Sequence, residues 1–150
     1  MIVLSFILCC VFLYIMILRQ ESVLESVSSA AYIVGRKWAY TAILLTIGGL
    51  MLPSLLGKCD GWTKAFAVLM VAGLAVVAFT PNYRTKDGLQ HNVAGIVCCV
   101  CSQLAVALNA PLMLCLWFPC LIYMVLHRDG NYTFWVEVTC LSITYAYGFS

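Results

Sequence analysis

Long apolar runs alternate with short polar punctuation along the chain, and the runs have bilayer-like lengths. Six stand out: Ile2 to Leu18, Trp38 to Leu56, Ala65 to Thr80, His91 to Asn109, Pro111 to His127 and Tyr132 to Phe149. Each is close to the ~17–25 residues that span hydrocarbon as a helix. The pattern predicts an all-α polytopic transmembrane helical bundle of about six helices with short loops. It forms a single transmembrane domain over residues 1–150. The third run is short, and if it is re-entrant the count falls to five. Runs four and five are separated only by Asn109, Ala110 and Pro111. Proline disfavours a helical conformation in the residue before it, so a tight helix-to-helix turn is expected there.

The first run lacks a positive leading region and a small-residue cleavage site, and reads as a retained helix. Trp38, Tyr40, Trp62, Tyr83, Tyr132 and Trp135 fall near run ends, where amphipathic rings favour the headgroup level. Trp117 falls mid-run and is expected to pack between helices. The longest connection, Arg19 to Lys37, is either an ordinary connector or a short amphipathic interfacial helix.

Composition strengthens the membrane reading. The 150 residues are 64% hydrophobic and 9% charged, against about 25% charged in soluble domains. The net charge of +2 is spread out, with no basic patch carrying interleaved aromatics, so nucleic acid is not an expected partner.

Six helices would place loops one, three and five on one side (side B), and both termini with loops two and four on the other (side A). Side B then carries Arg19, Arg36, Lys37, Arg84, Lys86 and Arg128, and side A only Lys58 and Lys64. Cationic loops stay cytoplasmic. Side B is therefore expected inside and both termini outside, in a plasma or inner membrane. Glu21, Glu25, Asp87 and Asp129 also fall on side B, as do His91 and His127. Whatever the orientation, side B is where chemistry is expected.

Glu137 is the sharpest signal, because an ionisable group inside a membrane segment is expensive. At 1.5 Å per residue it lies roughly 8–9 Å into the sixth run, in the half nearer side B. It shares a helical stripe with Thr133, Cys140, Thr144 and Tyr147, a face expected to turn inward. Candidate partners are His91, His127, Arg84 and Arg128; the plainer reading is a structural hydrogen bond or a snorkelling side chain. His91, Gly95, Cys98, Ser102, Ala105 and Asn109 form a second stripe of small and polar residues, which reads first as a packing seam.

The nine cysteines hold one C-x-x-C spacing, Cys98 to Cys101, which with Cys99 inside it is too compact to read as half of a zinc knuckle, and eight lie within apolar runs. Most should act as small buried hydrophobes, while Cys59 alone falls in a loop. Two histidines are few for a catalytic zinc, which takes three protein ligands. His91 and His127 with Glu137 or Asp87 would complete such a set, but no cofactor is the leading expectation. Asp87-Gly88 and Asp129-Gly130 read as turn residues.

Six short helices, the serine-rich stretch ESVSSAAY (Glu25 to Tyr32), Pro81 ending the third helix and HNVAG opening the fourth resemble the damage-regulated autophagy modulator superfamily. They equally resemble its small bacterial relatives, most of unknown function. The resemblance implies a six-helix multi-pass protein without established catalytic activity. It would also place the serine loop and His91 on the non-cytoplasmic side, opposite to the charge rule. His91 and Asn92 are the residues it marks.

These readings converge on a non-enzymatic membrane protein that binds membrane lipid or a partner membrane protein, possible homo-oligomers included. Its polar vestibule on side B would comprise Asp87, His91, Asn92, Arg128 and Glu137. Two alternatives stand beside it. One is a small oligomeric proton-coupled transporter using Glu137. The other is a membrane lipid hydrolase with a metal held by His91, His127 and an acid.

Overall fold

The computed structural model describes residues 1–126 and 131–150. Within them, every regular element is helical. Seven α-helices follow in order: α1 (Ile2–Gln20), α2 (Ala30–Val34), α3 (Lys37–Lys58), α4 (Lys64–Phe79), α5 (Gly88–Asn109), α6 (Trp117–Leu126) and α7 (Tyr132–Phe149). Short 3-10 turns at Val27–Ser29, Gly61–Thr63 and Pro111–Leu116 lead into α2, α4 and α6.

Four helices are long and apolar enough to cross a membrane: Ile2–Gln20, Lys37–Lys58, Gly61–Phe79 and Gly88–Asn109. The third apolar run is not the short one, because the turn at Gly61–Thr63 extends α4 to 19 residues. The deficit falls on the fifth run instead. Its first six residues are 3-10 and α6 adds ten. Pro111 opens the turn, where a missing N–H costs nothing, and Pro119 occupies the first turn of α6 for the same reason. α7 has 18 residues, but Glu137 and its hydroxyl residues set it apart from the four apolar spans.

The tightest crossing is between α4 and α5. A Cβ on Gly73 would lie 2.8 Å from the Ala94 carbonyl oxygen and 3.1 Å from the Cys98 nitrogen, so only glycine lets these backbones meet. Of the expected seam, His91, Ser102 and Ala105 are buried on α5 while Gly95, Cys98 and Asn109 are only partly so; Ala94 and Cys101, outside that stripe, are buried with them. On α7, Cys140, Thr144 and Tyr147 are buried while Thr133 is exposed, so the expected inward stripe begins at Glu137. A buried network ties three helices together: Ser5 Oγ donates to the Ile47 carbonyl at 2.8 Å and accepts from Tyr145 Oη at 2.8 Å.

Further sequence expectations are corrected. Tyr40 is no headgroup anchor; it is 0% exposed, because the start of α3 is covered by Phe12 of α1 and the folded first loop. Cys59, expected in an open loop, is buried beside Tyr147 Oη at 3.7 Å. The connection Arg19 to Lys37 is more than a connector: Leu24, Ala30 and Ala31 are buried in the core, and the small side chains of Ala30 and Ala31 let α2 lie against α1 and α3. All nine cysteines are free.

The two ends of the bundle sort as alternating helices require. At one end, Asn109 Oδ1 accepts the Asp60 N–H at 3.2 Å and its Nδ2 donates to Thr63 Oγ1 at 3.1 Å. This joins loops two and four. Ile2 packs against Gly148 there, so closely that a Cβ would sit 2.7 Å away. At the other end loops one, three and five meet. Arg84 pairs with Glu25, Lys37 Nζ donates to Asn82 Oδ1, and Asn131 Nδ2 donates to the Val23 carbonyl at 3.2 Å.

Candidate functional site: a polar chamber under the first and third loops

Beneath this second end lies a chamber of about 650 Å³, within the ~300–1,000 Å³ range of small-ligand sites. Its roof is Glu25, Ser26 and Ser28 from the first loop and Tyr83 and Arg84 from the third. Its walls are α5, through His91, Asn92, Gly95 and Cys99, and α7, through Thr133, Val136 and Glu137. Ile96 and Val100 border it on α5 and are 63% and 50% exposed. The chamber therefore reaches the exposed apolar flank of α5.

The roof is cross-braced. Arg84 pairs with Glu25, its backbone N–H donates to Tyr32 Oη at 3.0 Å, and its guanidinium lies 5.0 Å from the Tyr32 ring centre. Tyr83 packs edge to face on Tyr32, with ring centres 5.3 Å apart, and stacks on His91 at 4.4 Å. These turns close because Gly88 opens α5: a Cβ there would sit 2.7 Å from the Tyr83 carbonyl oxygen.

Glu137 reaches the chamber from α7. One carboxylate oxygen accepts the Val27 N–H at 2.6 Å, a donor freed because Val27 begins a 3-10 turn. Among the described residues, neither of the cations expected beside it is its partner; His127 and Arg128 lie outside them. Arg84 is engaged by Glu25, the one ion pair among the described residues, and His91 bonds elsewhere.

The tautomer of His91 follows from its neighbours. Nδ1 lies 3.0 Å from the Thr80 carbonyl oxygen, which can only accept, so Nδ1 carries the proton. Nε2 is then a bare lone pair. It is buried without a hydrogen-bond partner, on a residue 4% exposed. Such a group costs about 1–3 kcal/mol unless something supplies a donor.

Behind Glu137 a second, apolar pocket of about 70 Å³ runs into the core among Leu44, Ile47, Met70 and Leu74. Ser28, Gly95, Cys99 and Glu137 border both spaces. Tyr40 Oη, buried and unpartnered, lines the inner one.

Of the vestibule expected from sequence, His91, Asn92 and Glu137 come together. Asp87 does not line the chamber. It sits at the N-cap of α5, where its carbonyl accepts the His91 N–H at 2.9 Å. Arg128, His127 and Asp129 lie outside the described residues. Among the described residues, no three His, Cys, Asp or Glu side chains gather to hold a metal ion. Sequence reading missed Ser28, Tyr83 and Tyr40. Only the run of small residues Ser28 to Ala31 hinted that the first loop folds inward.

No protein-family model, no curated protein and no solved structure matches the chain.

Proposed function

We propose that the chain is a multi-pass membrane protein that binds a membrane lipid in the chamber between α5 and α7, without chemistry on it. The carrying observation is the chamber's form: a braced polar roof and a few polar side chains over a largely apolar lining, with exposed Ile96 and Val100 at its edge. A lipid could enter through that side from the surrounding bilayer and leave its tail between the helices. The charge count favours placing the chamber on the cytoplasmic side.

The proton-coupled transporter draws on the same Glu137. It gains less from the geometry, because the pocket behind Glu137 is lined largely by Leu44, Ile47, Met70, Leu74 and Val77. The hydrolase would need His127, outside the described residues.

The test is native mass spectrometry of the purified protein in a mild detergent, alone and as Gly95→Leu. A Cβ on Gly95 meets nothing within 4 Å, so a leucine fills the chamber without moving the helix. Retained lipid that Gly95→Leu displaces supports the reading. A protein that carries no lipid, or the same lipid in both forms, overturns it. The same spectrum gives the subunit number.

A further inference from the structure

Two thiols meet where the chamber joins the inner pocket. On α5, Cys98 turns to α4: its Cβ would lie 3.2 Å from a Cβ on Gly73. Cys99, one position on, is rotated by about 100° around the helix. Gln103, one turn along the face of Cys99, donates from Nε2 to the Cys140 carbonyl of α7 at 3.3 Å. Cys99 meets the same residue, for the Cys99 and Cys140 thiols are hydrogen-bonded to each other. Their reach differs. Cys99 borders both spaces, while Cys140 is buried and, of the two, borders the inner one alone.

A metal ion does not suit the pair. It takes three or four protein ligands, and among the described residues no three His, Cys, Asp or Glu side chains gather to hold one. A buried cysteine also serves as a small hydrophobe, as Cys98 does beside Gly73, but that role needs no second sulfur as its neighbour. Depth narrows the oxidant. At 1.5 Å per residue, Cys99 lies roughly 16 Å from the start of α5, about halfway across a ~30 Å hydrocarbon core. Charged, water-soluble oxidants are kept from that depth. The chamber, however, reaches the exposed flank of α5 at Ile96 and Val100, so an oxidant dissolved in the bilayer has a route.

We propose that Cys99 and Cys140 are a redox pair, joined as a disulfide by a lipid hydroperoxide that arrives through the chamber. Cys99, the thiol bordering the chamber, attacks the terminal peroxide oxygen. The O–O bond breaks, the lipid leaves as an alcohol with the thiol's proton, and Cys99 becomes a sulfenic acid. Cys140 then attacks the Cys99 sulfur. The S–S bond forms, and the sulfenic hydroxyl leaves as water with the Cys140 proton. Two thiols lose two electrons and the hydroperoxide gains them. The product ties α5 to α7 where the two spaces join. The pair rests on the packing alone. The oxidant rests on the membrane-spanning reading above, and no step needs a retained lipid.

The test uses the full, reduced chain in phosphatidylcholine nanodiscs. It is treated with a fatty-acid hydroperoxide or, at equal concentration, with hydrogen peroxide. Peptide mapping without reduction locates any link, and alkylation reads the remaining thiols. The expected result is a linked peptide joining Cys99 to Cys140, with both thiols lost to alkylation and regained with a small dithiol. The fatty-acid hydroperoxide should react faster by about tenfold or more, because its chain concentrates it in the bilayer. Cys140→Ser should stop at a Cys99 sulfenic acid, captured by dimedone, and Cys99→Ser should form no link at Cys140. The absence of a Cys99–Cys140 link, or a link from either to another cysteine in its place, overturns the pair. An equal or faster reaction with hydrogen peroxide overturns the lipid oxidant. Lipid displacement by Gly95→Leu is a separate readout, so failure of the lipid-binding reading imitates neither outcome. The wild-type map needs no variant, so a folding defect in either serine form cannot mask it.

Discussion

The two ends of the bundle have similar raw materials and opposite outcomes. At the end formed by loops two and four, Asn109, Thr63 and Asp60 bond to one another, and Ile2 is pressed onto Gly148. That end is tied off. At the other, Arg84, Glu25, Tyr32 and Tyr83 brace a roof, but beneath it Glu137 borders a cavity and His91 Nε2 is buried with no partner among the described residues. Polar residues in an apolar chain can thus serve as fasteners or as a recognition surface. What separates the two roles is whether their bonding is completed within the chain.

The comparison can be broken most forcefully at the joint both ends share. Gly73→Val should drive α4 from α5, since backbone rather than a flexible side chain stands 2.8 Å from the new Cβ. A loss of about 1–3 kcal/mol or more is expected, read as a sharply lowered melting temperature in detergent or failure to accumulate as a monodisperse species. At the tied end, Asn109→Ala removes bonds to Asp60, Thr63 and the Ala105 carbonyl. It should cost about 1–2 kcal/mol in the same melt and leave lipid retention untouched. Arg84→Ala opens an exposed ion pair, worth less than about 1 kcal/mol. Its melt should barely move, and a large fall would mean the roof carries the fold. The smallest effect on stability belongs to Gly95→Leu, whose melt should be unchanged while retention drops. A melt that falls as far as that of Gly73→Val would show that the chamber is no free space.

The runs of apolar residues made the helices, their order and the sharing of ends readable, because hydropathy and chain reversal are local properties. The α5 seam was legible in part: His91, Ser102 and Ala105 are buried, while Gly95 borders the cavity. The partner of Glu137 was not. It is a backbone N–H 110 residues earlier, in the turn that leads into α2. Likewise, Tyr40 carries the same signal as Trp38 two positions before it, yet one is 0% and the other 68% exposed. Helix rotation decides that, and the flat distribution of apolar residues around α3 gave no hint of it. The break in the fifth run had a local sign in Pro111 and Pro119, since each removes a backbone donor where a continuous helix would use one.

The bond from His91 Nδ1 to Thr80 carries a further consequence. An imidazole forwards a proton by accepting it at one nitrogen and releasing it at the other. Here the Nδ1 proton faces the Thr80 carbonyl, and the nearby Thr80 hydroxyl, 2.9 Å from Nδ1, donates back to the Val76 carbonyl of its own helix at 2.7 Å. Those oxygens belong to the end of α4, and peptide carbonyls do not hand protons on. A proton arriving at Nε2 would find no exit on the other side of the ring. The ring is a terminus in the hydrogen-bond chain, and it cannot act as a link in a wire.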